Sequence, residues 1–178
     1  RHTGCGISSR QAEDITLCHG LRDAIFEEAS IHQGPQNKVE SDLAALIGCA
    51  TKDVLVCACG MNAFYAGFRA VQEVQLAKGR TKWLQLGWLY LDSGCVLKEF
   101  LSESEVLECC YNATDTESLI EKIESLGDAL ACVVVECPTN PLVKVSELGR
   151  IAEAVRRCGG ALMVDPTIGS IYNVDVLA

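Results

Sequence analysis

Basic charge is in short supply: 15 lysines and arginines stand against 24 aspartates and glutamates, a net charge of -9 with a pI near 4.8. Contact with phosphate backbones wants a basic face, so the balance argues against nucleic acid as a partner. Long hydrophobic runs are missing as well. No stretch approaches the roughly 20 apolar residues that span a bilayer, and no signal peptide is visible, so no membrane partner is expected. Histidine is scarce: His2, His19 and His32 all fall in the N-terminal part, away from any cysteine cluster, and no metal site is expected. Cysteine is plentiful at 11 residues, but the C-x-x-C spacing of zinc and redox sites does not occur. The nucleotide signatures G-x-G-x-x-G after a strand and G-x-x-x-x-G-K-[ST] are absent too.

What is present is a globular composition, 49% hydrophobic and 22% charged over 178 residues. That excludes disorder and suits one full core or part of a larger domain. The chain opens on Arg1 and closes on the apolar Val176-Leu177-Ala178, the pattern of a piece cut from a longer protein. Many cysteines, such as Cys57, Cys132 and Cys158, lie inside apolar runs, where the thiol behaves as a small buried hydrophobe. A reduced, cytoplasmic setting is expected rather than a disulfide scaffold. The Cys109-Cys110 pair is expected to alternate between the two faces of one strand.

From Ser9 to Ser30, Ala12, Ile15, Leu21, Ile25 and Phe26 recur near helical spacing, predicting one or two amphipathic helices broken at Gly20. Ile31 to Lys38 reads as a loop, and Val39 to Ile47 as a helix ended by Gly48. Beyond it the alternation becomes regular. Strands are expected at Asp53–Cys57, Trp83–Leu86, Val106–Cys110, Ala131–Val135 and Ala161–Val164. Helices are expected at Met61–Lys78, Asp92–Leu101, Thr116–Leu126 and Ser146–Cys158. Such alternation implies right-handed crossovers and an α/β fold: a mainly parallel sheet with helices on both faces. The organisation expected is a helical N-terminal lead, residues 1–52, followed by an α/β domain, residues 53–178.

Candidate chemistry gathers where these strands end. The run Ala161-Leu162-Met163-Val164 leads into Asp165 and then Pro166, which forbids further ladder pairing. In open α/β sheets ligands bind outside the carboxyl ends of the strands, so this acid is either aimed at a crevice or a simple turn former. Ala58-Cys59-Gly60-Met61-Asn62 opens a helix whose free amides suit a phosphate, though glycine at such a turn is commonplace. Tyr90, in Gly87-Trp88-Leu89-Tyr90-Leu91-Asp92-Ser93, either stacks on a flat ring or packs in the core. Asn140, between Pro138 and Pro141, is either a rigidly held amide at a strand end or a turn residue.

In order, C-G-M-N, G-W-L-Y-L-D-S, E-C-P-T-N-P-L and V-D-P-T-I-G-S-I-Y-N-V-D-V-L resemble the pyridoxal-phosphate enzymes of cysteine and methionine metabolism, the transsulfuration enzymes. The likeness is greatest to their fungal cystathionine γ-synthase branch. It implies the large domain of a fold-type I enzyme, pyridoxal 5'-phosphate as cofactor, small amino-acid substrates and a homo-oligomer, dimer or tetramer. By residue, it implies phosphate contacts from Cys59, Gly60 and Met61, a ring stacked on Tyr90, and Asn140 near the ring oxygen and substrate. Asp165 would pair with the pyridine nitrogen, with Thr167 a lesser neighbour. A carboxylate there keeps the nitrogen protonated, and a protonated ring withdraws electrons from a substrate carbanion. The reaction implied is γ-replacement on an O-acylated homoserine by cysteine to give cystathionine. The family's γ- and β-lyases and sulfhydrylases are the alternatives, and a non-catalytic truncated remnant is another.

The sequence also departs from the resembled pattern. Cys59 stands where serine is frequent and Pro166 where asparagine or glutamate is common. The tyrosine and arginine that a neighbouring subunit lends have no match around Ile31 to Lys38. The resemblance places the Schiff-base lysine beyond Ala178, so no catalytic residue is assigned within the chain. None of its seven lysines, Lys98 and Lys144 included, holds that place.

Overall fold

In the run Leu130–Glu136 apolar residues occupy both faces of a strand, and that pattern dictates cover on both sides. The computed structural model describes residues 7–26 and 34–177. It divides into two compact units, residues 1–62 and 63–178. The second unit holds a four-stranded sheet in the order β2-β1-β3-β4, with β1 at Lys82–Leu86, β2 at Val106–Cys110, β3 at Leu130–Glu136 and β4 at Ala161–Asp165. Every pairing is parallel, as the alternation of strand and helix predicts.

Successive side chains point to opposite faces, and two cores result. Leu84, Leu86, Val133 and Val135 face α5 (Thr116–Leu126) and α6 (Leu148–Cys158), meeting Leu119, Ile123, Ile151 and Val155. Trp83, Cys132 and Val134 face the other way, toward Phe68 of α3 (Gly60–Ala77) and Leu97 of α4 (Leu91–Phe100). The α6 sequence shows why it packs: Ile151, Ala154, Val155 and Cys158 form one buried stripe at helical spacing. On their outer faces, Arg150 and Arg157 reach Glu117 and Glu124 of α5, each at 2.6 Å. These exposed pairs fix the register of the two helices more than they stabilise them.

From Ala63 onward α3 runs antiparallel to the strands. Gly67 lies beside Met163 in the middle of β4, whereas Gln72 donates to Glu105, just ahead of β2. Glu105 is buried and also accepts from the Trp83 indole at 2.7 Å and the Ser102 amide at 2.8 Å, closing the amino end of the sheet.

In the first unit, Ser8 caps α1 (Ser9–Cys18) by accepting from the Gln11 amide at 3.1 Å, and the helix ends before Gly20 as the sequence predicts. A second helix, α2 (Pro35–Ile47), starts earlier than expected: Pro35 to Lys38, read as loop, form its first turn, where proline's missing N–H costs nothing. The expected strand at Asp53–Cys57 is not one. Thr51–Asp53 make a 3₁₀ turn and Val54 to Cys57 are irregular, with Leu55 exposed. An apolar run becomes a strand only by pairing, and these residues find no partner strand among the described residues. Residues 27–33, including part of the expected loop and His32, and residues 1–6 with His2 lie outside the described residues. Among the described residues no helix is long and apolar enough to cross a membrane, and the ten described cysteines are free thiols.

Candidate functional site

Strands β1 and β3 lie side by side, yet the chain leaves them in opposite directions, to β2 on one side and to β4 on the other. Loops that diverge in this way open a crevice outside the carboxyl ends of the strands. On the β1 side the loop runs from Gly87 to Tyr90, and on the β3 side from Cys137 to Asn140. Glu136, the last residue of β3, ties them together. One carboxylate oxygen, Oε1, accepts from the Tyr90 amide, and Oε2 accepts from the Asn140 amide at 3.1 Å. Glu136 is 4% exposed. Burial pushes its carboxyl above the ordinary glutamate range; the Tyr90 amide opposes this, nearby Asp165 adds to it, and the Asn140 amide opposes it.

Asp165 ends β4 in register with Glu136, so the two acids stand side by side on the face that carries α3 and α4. Beyond Asp165, Pro166 cannot donate to a ladder and the chain turns away. The turn is held by Thr167, whose amide and hydroxyl both donate to Asp165 Oδ1, at 3.0 Å and 2.5 Å. Both bonds fall on one oxygen, so the turn does not consume Oδ2. This loop stays close to the one after β3. The Cys137 amide donates to the Asp165 carbonyl at 3.0 Å, and a Cβ on Gly169 would lie 3.0 Å from Pro138 Cδ. The same Cβ would lie 2.6 Å from Val174 Cγ2, so a larger residue there would force its neighbours to shift.

Aromatic rings frame the β1 side. Tyr90 occupies the N-cap position of α4 with its side chain partly exposed, so it is not a core aromatic. Trp88 and Tyr111, both exposed, pair with ring centroids 5.1 Å apart. The loop's shape depends on Gly87, at φ 68, where a Cβ would meet Thr139 Cγ2 at 2.9 Å and Ala113 Cβ at 3.0 Å. Three strand-end loops therefore pack on one another.

The structure thus brings Tyr90, Asn140, Asp165 and Thr167 to the carboxyl ends of β1, β3 and β4. Asp165, with one oxygen not used by its turn, suits a group carrying positive charge. Cys59, Gly60 and Met61 fall in the first unit. Cys59 is exposed, α3 begins at Gly60, and a Cβ built on Gly60 meets nothing within 4 Å, so packing does not demand glycine there. Glu136 was not anticipated from the sequence. Its signal was the charge that ends an otherwise apolar run, Val133-Val134-Val135-Glu136.

Comparison with known proteins gives this geometry a context. The chain is 34% identical over 178 residues to the L-2-amino-4-chloropent-4-enoate dechlorinase/desaturase of Streptantibioticus cattleyicolor, covering 99% of this chain and 35% of that protein. It is 28% identical over 163 residues to the cystathionine gamma-synthase of Neurospora crassa, covering 90% of this chain and 26% of that protein. The chain therefore spans about a third or less of the length of these relatives. Among solved structures, metB from Corynebacterium glutamicum aligns with a TM-score of 0.44 at 16% identity, covering 57% of this chain and 26% of that one. The sequence model of the Cys/Met metabolism PLP-dependent enzymes matches residues 24–178. With its parallel sheet and that match over most of its length, the chain belongs to the Cys/Met metabolism PLP-dependent enzyme family, whose cofactor is pyridoxal phosphate.

Proposed function

We propose that this chain is part of an enzyme that expels a leaving group from the γ-carbon of an L-2-amino acid, and that the reaction of the full-length protein is γ-replacement on an O-acylated homoserine by cysteine to give cystathionine. The observation that carries the reading is Asp165, placed at the end of β4 beside Glu136 with one oxygen left over by the Thr167 turn. Cys59, Gly60 and Met61, at and just before the start of α3, are part of this proposal as contacts to the cofactor phosphate. The exposed Tyr90 ring would stack on the pyridine, and Asn140 and Thr167 would help to hold it. When bound, pyridoxal phosphate supplies an electron sink for bond breaking at the substrate's α-carbon. The task of Asp165 is to hold a proton on the ring nitrogen, and that of the loops is to keep ring and substrate in register. The protein is further proposed to be a cytoplasmic homo-oligomer.

A second reading is elimination without replacement. It is supported by the 34% identical relative, named for loss of chlorine from C4 of a 2-amino acid. Incubation of the cofactor-loaded full-length protein with O-acylated homoserine, with and without cysteine, separates the two. Cystathionine formed only when cysteine is present supports γ-replacement. Equal release of ammonia and an oxo acid in both arms supports elimination, and no turnover in either contradicts both.

A further inference from the structure

We propose that Glu136 is a positioning residue for this site: its buried carboxylate clamps the backbone of Tyr90 to that of Asn140 and so sets ring and amide against Asp165. The proposal rests on the cofactor reading above. Its own basis is geometry. Glu136 uses both oxygens, one on each loop, across the point where the chains leaving β1 and β3 diverge. At a crevice whose walls run apart, no ladder hydrogen bond continues between them, so this carboxylate replaces the missing rung.

A structural role alone is a poor explanation for an acid here. Burial of a carboxylate is costly, among the described residues no lysine or arginine contributes to its charge balance, and Asp165 stands beside it with like charge. The ordinary remedy in a parallel strand would be another apolar residue, as in the six preceding positions of β3, which are all buried. What an acid adds is two charge-assisted acceptors aimed at two separate amides, one of which belongs to Tyr90, whose ring is exposed. The arrangement also explains how a short loop can leave Tyr90 exposed yet fixed. Its amide is held by Glu136, and its carbonyl accepts from the Gly94 amide at 3.1 Å in the first turn of α4. Supporting residues of this kind hold a ligand-facing group to within a fraction of an ångström.

The test uses Glu136→Gln and Glu136→Met. Glutamine keeps shape but offers one acceptor, placing an NH₂ against an amide; methionine keeps volume and releases both loops. Amide hydrogen exchange without cofactor reads the clamp directly, and visible circular dichroism of bound pyridoxal phosphate reads the ring's fixed environment. Exchange at both Tyr90 and Asn140 should rise about three- to tenfold in Glu136→Met, one hydrogen bond's worth each, and at one of the two in Glu136→Gln, with the amides of β3 unchanged. The cofactor's dichroism should fall by about half or more while its affinity drops only several-fold. Unchanged exchange in both variants overturns the clamp, and unchanged dichroism beside faster exchange overturns the positioning role. If neither variant folds, Glu136 is a folding residue and the assignment fails. If the wild type shows the clamp but binds no pyridoxal phosphate, the cofactor reading fails, and the positioning role with it, while the exchange result stands.

Discussion

Replacing Gly87 by alanine tests the packing of the three strand-end loops. At φ 68 an L-residue is in the left-handed region, which costs about 1–2 kcal/mol. The new Cβ would also stand 2.9 Å from Thr139 Cγ2 and 3.0 Å from Ala113 Cβ. Thr139 is buried and its hydroxyl accepts from the Lys144 amide at 3.0 Å, so it cannot swing aside without losing that bond. Overpacking of this kind adds about 1–3 kcal/mol. The sum is about 2–5 kcal/mol; with a urea slope near 2 kcal/mol per molar, the unfolding midpoint should fall by about 1–2.5 M. Equilibrium urea unfolding followed by Trp83 and Trp88 fluorescence provides the measurement. A midpoint within about 0.3 M of wild type would refute the reasoning, since neither the strain nor the contact would then be real.

The opposite outcome is expected at Gly60, where a Cβ meets nothing within 4 Å: Gly60→Ala should leave the urea midpoint nearly unchanged and weaken pyridoxal phosphate binding several-fold in equilibrium dialysis. Thiol labelling of the folded protein should modify the exposed Cys18, Cys59, Cys95 and Cys109 and spare the buried Cys132, Cys137 and Cys158 until denaturant is added, as mapped by mass spectrometry; burial also pushes the Cys132 thiol up, away from the reactive thiolate. Glu136 makes stability depend on pH. Its carboxyl is raised in the fold by burial and by Asp165, against the opposing Tyr90 and Asn140 amides. The folded state therefore holds that proton more tightly than the unfolded chain, and this contribution to stability is lost as pH rises from the ordinary glutamate range through the folded value. As pH rises above the ordinary glutamate range, the urea midpoint of Glu136→Gln should gain on that of wild type, and a gap independent of pH would contradict the assignment.

Much of the second unit was legible because its signals are local and agree with one another. The apolar runs at Trp83–Leu86, Val106–Cys110, Ala131–Val135 and Ala161–Val164 each became a strand within a residue or so, and Thr116–Leu126 became a helix at its expected bounds. Asp165 could be placed because a proline follows it and fixes where the strand must stop. Val54 to Cys57 misled for a reason that lies outside the local pattern: β propensity describes fit to a pleated surface, and no neighbouring strand supplies that surface. Pro35 misled in the other direction, since proline reads as a loop residue although the first turn of a helix accepts it. Glu136 stayed hidden because its role depends on two amides that the sequence places 46 and 4 residues away, and only the strand order brings them to one carboxylate.

The central claim is that Asp165 holds a proton on the cofactor's ring nitrogen, and nitrogen NMR of the protein loaded with ring-¹⁵N pyridoxal phosphate reads that proton without depending on turnover. Asp165→Asn is the suitable comparison, because the side-chain oxygen can still accept the two Thr167 bonds and preserve the turn while the charge is removed. The wild-type ring nitrogen should resonate at the protonated position and that of Asp165→Asn at the unprotonated one. The same resonance position in both proteins would contradict the account and leave Asp165 a turn former.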